Sequence, residues 1–84
     1  MKESHLAIIN NLVDLLNQHR ISIESHHFEG NLLICNLGSS PLWLSFYVHK
    51  NKLINSILEL PLILSIEEFE ADRLVVKIPW VSDP

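Results

Sequence analysis

The chain has 84 residues, 48% hydrophobic and 19% charged, with a formal net charge of −4. Disorder needs the opposite balance, few apolar residues and many charges, so a folded single domain, 1–84, is expected. Only two glycines occur, and neither Gly30 nor Gly38 stands in a GxGxxG or GxxxxGK[ST] pattern, which excludes the glycine-rich phosphate cradles.

Ser4–Arg20 reads as the first element, a helix. Leu6, Ile9, Leu12, Val13 and Leu16 fall at helical spacing, with Ile8 and Leu15 widening the stripe and Asn10, Asn11, Asp14, Asn17 and Gln18 covering much of the rest. Ser4 suits the N-cap, and His19 and Arg20 suit the end of the helix dipole. Ile21–Phe28 and Asn31–Leu37 then read as two strands, joined by the turn signal Glu29-Gly30-Asn31.

Pro41–His49 has strand composition and is apolar on both strand faces. Leu42, Leu44, Phe46 and Val48 alternate with Trp43, Ser45, Tyr47 and His49. A third strand over Leu42–His49 therefore predicts a sheet with one face on a core and an aromatic second face in need of cover. Lys50-Asn51-Lys52 reads as a hairpin tip. The segment after it suits either a short helix or a fourth strand, and the strand is the preferred reading. Ser65 with Glu68 matches a capping box and predicts a short acidic helix, Ile66–Asp72. Arg73–Pro79 alternates as a last strand. No internal repeat, linker or low-complexity stretch is evident. The fold expected is α+β: an N-terminal helix packed on an antiparallel meander of four to five strands, with a short acidic helix before the last strand.

The chemistry-bearing residues are sparse. Cys35 is the only cysteine, so no internal disulfide or CxxC site exists. It reads as a small buried hydrophobe rather than a nucleophile, because nothing nearby in the chain lowers its pKa. A single cysteine suits a cytoplasmic location. Among the histidines, a meander allows His27 and His49 to meet with Glu29 nearby, yet no HxH or HxxxH spacing supports a metal site. No metal or cofactor is therefore expected. Glu67, Glu68, Glu70 and Asp72 form an acidic run that is either a solvated face or a dock for a basic partner. Trp43, Tyr47 and Trp80 are the residue types that anchor protein interfaces.

The six basic residues are scattered, which argues against nucleic acid as a partner. No apolar run of about 18 residues is present, which argues against a membrane span. The expectation is a non-enzymatic protein-interaction module, of the size and charge of stoichiometric inhibitors, immunity proteins, antitoxins or small acidic chaperones. It would act through Trp43, Tyr47 and Trp80 on a sheet face rimmed by Glu67, Glu68, Glu70 and Asp72. Its partner would be another protein, plausibly a basic one, and a homodimer would be the simplest version. The alternative is a small metal-binding or catalytic protein that uses His27 and His49.

Overall fold

The computed structural model describes the backbone of residues 3–38 and 43–79 and the side chains of residues 5–38 and 50–79. The elements run α1 (Glu3–Gln18), β1 (Ile23–Glu29), β2 (Leu32–Leu37), α2 (Trp43–Leu58), β3 (Ser65–Glu70) and β4 (Arg73–Lys77). The fold is α+β, with an N-terminal helix and a four-stranded antiparallel sheet.

α1 forms where its periodicity places it, but its buried stripe is rotated. His5, Ile8, Ile9, Leu12 and Leu16 are buried, whereas Leu6 is exposed. The ring of His5 lies 4.4 Å from that of Phe28 on β1, so a histidine takes the inward position at this end of the helix. Ser4 lies one residue inside the helix rather than at its cap. The other end closes in a Schellman motif. The Ile21 N–H donates to the Leu16 carbonyl at 2.9 Å and the Arg20 N–H to the Asn17 carbonyl at 3.0 Å. Arg20 sits at φ 61°, the left-handed position that this motif requires. The buried pair Leu16 and Ile21 supplies the apolar contact across the motif.

Two expected elements are corrected. Trp43–His49 is not a strand: it is the first half of α2, which continues through Lys50-Asn51-Lys52 to Leu58. Trp43, Phe46, Tyr47, Leu53, Ile54, Ile57 and Leu58 share one helical period, and Leu53 and Ile57 reach the core. Leu42 lies outside the described residues. Likewise, residues 65–70 form strand β3 rather than an acidic helix. Glu67 is a bulge between Ile66 and Glu68, so Ile66 and Phe69, three apart, both turn to the core. That spacing imitates a helix. The second helix thus precedes the last hairpin, earlier in the chain than expected.

Nor are the strands a simple meander. The hairpins β1–β2 and β3–β4 join through their second strands, in the order β1-β2-β4-β3. Leu33, Cys35 and Leu37 of β2, Leu74 and Val76 of β4, and Ile78 just beyond it meet α1 and α2 on one face. The opposite face is polar, with His27, Glu68, Asn36, Arg73 and Lys77 around a small centre of Ile34 and Val75. Among the described residues the sheet has no aromatic outer face to cover.

This order exposes an internal repeat that the sequence conceals. Each half is a 16-residue helix followed by a hairpin with a two-residue turn. Phe28-Glu29-Gly30-Asn31 recurs 41 positions on as Phe69-Glu70-Ala71-Asp72, and Leu33 recurs as Leu74. Leu12 and Leu16 correspond in the same way to Leu53 and Ile57, and all four are buried. The pair Ile34↔Val75, itself related by this spacing, lies at the centre of the β2–β4 seam and so on a pseudo-twofold axis. The Leu37 N–H donates to the Asp72 carbonyl at one end of the seam, and the Ile78 N–H donates to the Asn31 carbonyl at the other, both at 2.9 Å. These two bonds are images of each other under the same 41-residue shift.

Candidate interaction groove beside β3

The pseudo-symmetry gives the sheet two edges, β1 and β3, and the candidate site runs along β3. The C-terminal half of α2 lies against this strand. Between them is an open groove of about 640 Å³, walled by Ile54 and Leu58 of α2 and by Leu64, Ile66 and Phe69. Lys50 stands on the helix side, while Glu67, Glu68 and Glu70 form the strand-side lip. Ile54 and Ile66 pack down on the core and make an apolar floor.

The lip is only partly neutralised. Arg73 Nε lies 3.2 Å from Glu68 Oε2. The Ser65 hydroxyl donates to Glu67 Oε1 at 3.0 Å. Glu67 and Glu70 have no ion-pair partner among the described residues. Two leucines of the wall are open to solvent: Leu58 is 44% exposed and Leu64 58%.

Comparison with the first half separates what the fold requires from what is added. The counterparts of Leu58 and Leu64, 41 residues earlier, are Asn17 and Ile23. Asn17 is polar, and Ile23 packs against the core. Leu62, in the connection, holds a left-handed backbone at φ 69° as Arg20 does in the first half, and each is followed by a buried isoleucine, Ile63 and Ile21. At Leu58 and Leu64 the same architecture accepts a polar or a packed residue, and the second half presents exposed leucines instead.

The structure distributes the residues singled out in the sequence unevenly. Glu67, Glu68 and Glu70 come together on β3, and Asp72 stands in the turn that follows. Trp43 and Tyr47 lie in the first two turns of α2 and not on the sheet. Trp80 lies outside the described residues. His27 and His49 are not brought together: His27, paired with Ile34, is on the polar face of the sheet, and His49 belongs to a helix on the other face. His27 Nε2 instead faces Glu29 Oε2 at 3.7 Å, in an exposed pair. No group of three His, Cys, Asp or Glu side chains is placed to hold a metal among the described residues. Cys35 is buried under the helices, and burial pushes its thiol from the ordinary 9.0 up to about 12. It is a thiol at neutral pH and so a poor nucleophile.

The groove leucines were missed in the sequence. Their signal was the run Leu60-Pro61-Leu62-Ile63-Leu64, which holds more apolar residues than a connection needs. The chain matches no protein-family model, no curated protein and no solved structure. No helix of the described residues is long and apolar enough to cross a membrane.

Proposed function

We propose that this protein is a non-catalytic binding module that acts by stoichiometric contact with another protein, through the groove between α2 and β3. The observation that carries this reading is the exposure of Leu58 and Leu64 at positions whose counterparts in the first half are polar or packed against the core. An apolar floor supplies affinity by releasing water, and a carboxylate lip steers and selects the partner. The contact surface thus moves from a sheet face to a helix–strand groove, while its acidic rim is retained. Trp43 and Tyr47 extend the same helix away from the groove and are candidates for a wider footprint.

The test is co-purification from the native host with wild-type protein, Leu58→Asp/Leu64→Asp, and Trp43→Ala/Tyr47→Ala. Leu58 and Leu64 are exposed, so the aspartate variant should unfold at the wild-type temperature and lose its partner. A partner captured equally by that variant refutes the groove. Loss in the alanine variant, with fold retained, would extend the footprint to the start of α2.

A further inference from the structure

Resting on that reading, we infer that the groove accepts an extended segment of the partner, alternately basic and apolar, as an added strand on β3. β3 has β4 on one side only, so alternate backbone N–H and C=O groups of β3 face away from the sheet. A strand laid along them turns successive side chains to opposite faces. One set enters the space beside Ile54, Leu58 and Ile66, which favours apolar residues. The other set emerges on the polar face beside Glu68 and Glu70, which favours lysine or arginine. Arg73 already compensates Glu68, which leaves Glu70, and Glu67 at the bulge, for the incoming charge.

The same lip disfavours a second copy of this chain. Pairing β3 with β3 would set the three glutamates of one copy against the three of the other, and like charges facing across strands are destabilising. The edge is therefore guarded against self-association and open to a strand of opposite charge. Nor is the groove a by-product of the fold, because the first half carries Asn17 in place of Leu58 and packs Ile23, the counterpart of Leu64, against the core.

The test is a titration of ¹⁵N-labelled protein with the end-capped peptide (Lys-Val)₄. Parallel titrations use (Glu-Val)₄ and (Lys-Val)₄ N-methylated at every second residue, which keeps charge and side chains but removes the donors on one edge. Two N-methylated isomers, one for each parity, cover both registers. The expected result is amide shifts centred on Ile66–Glu70 and on Ile54 and Leu58, with no binding of the acidic peptide. One methylated isomer should bind at least about tenfold more weakly than the parent, as lost backbone hydrogen bonds imply. Equal affinity of parent and both isomers, with shifts still in the groove, overturns strand addition and leaves the groove reading intact. Shifts centred on the β1 edge, or none at millimolar peptide, overturn the inference, while the co-purification test decides separately on the groove.

Discussion

Two residues show how local chemistry is balanced in so small a domain. Arg20 occupies the left-handed position of the α1 C-cap, where glycine is the usual residue. A Cβ-bearing residue there costs roughly 1 kcal/mol, offset in part by the lower entropy of the unfolded chain relative to glycine. Arg20→Gly should therefore stabilise the protein by up to about 0.5 kcal/mol in urea denaturation, and a lower midpoint would show that the arginine side chain makes a compensating contact. Cys35 sets an alkaline limit. Below pH 9 the thiol is protonated in both folded and unfolded chains. Between 9 and about 12 the unfolded chain releases the proton and the folded one retains it, so stability falls as pH rises through that window. The slope from this one group is on the order of 1 kcal/mol per pH unit. Cys35→Val should flatten the slope relative to wild type without loss at pH 7, since Val76 fills the equivalent place in the second half. An unchanged slope would assign the alkaline sensitivity to other groups.

At the scale of elements, the outcome depended on which periodicity each segment displayed. α1, the first hairpin and β4 were legible because their patterns are unbroken and their turn chemistry agrees with them. Gly30 takes φ 61° and the following Asn31 does not have a positive φ, as a hairpin with glycine first in its two-residue turn demands. α2 was misread because Trp43, Phe46, Tyr47 and Val48 have strand propensity, and the window was cut at Lys50-Asn51-Lys52. Extended to Leu58, the same residues complete a helical stripe, and packing of Leu53 and Ile57 overrides propensity. β3 was misread for the opposite reason. Its bulge at Glu67 places two core residues three apart, and Ser65 with Glu68 added a false capping box. The acidic half of the candidate site was therefore legible as residues but not as a strand edge. Its apolar half was hidden because an exposed leucine and a buried one look alike in sequence.

At the scale of the molecule, two elements decide the sheet: with α2 a helix and β3 a strand, it is a pair of joined hairpins with a polar outer face, not a meander with a bare aromatic one. The repeat escaped notice because the two halves are built alike but spelled differently. Ser4, Asn10, Leu12, Phe28-Glu29 and Leu33 recur identically at Ser45, Asn51, Leu53, Phe69-Glu70 and Leu74, while pairs such as Val13/Ile54, Leu16/Ile57 and Ile34/Val75 exchange one apolar residue for another. What the repeat preserves is burial, and burial tolerates such exchanges. The two edges have meanwhile diverged, one carrying His26 and His27, the other Glu67 and Glu68.

The pseudo-twofold axis also has a consequence for connectivity. By symmetry, the gap from the end of β4 to the start of α1 matches the gap from the end of β2 to the start of α2. The chain crosses the latter with residues 38–42. Joining Pro84 directly to Met1 provides residues 78–84 and 1–2 for the former, a longer bridge. A circular permutant that begins at Ser40 and ends at Ser39 should accordingly fold without an added linker. It should keep one cooperative transition, with its Tm within roughly 15 °C of the original, as a loss of about 1–2 kcal/mol implies for a chain of this size. A permutant without a cooperative melt would mean that the two crossings are not equivalent. If it folds, the order of the two halves along the chain is an accident of linkage, and either can come first.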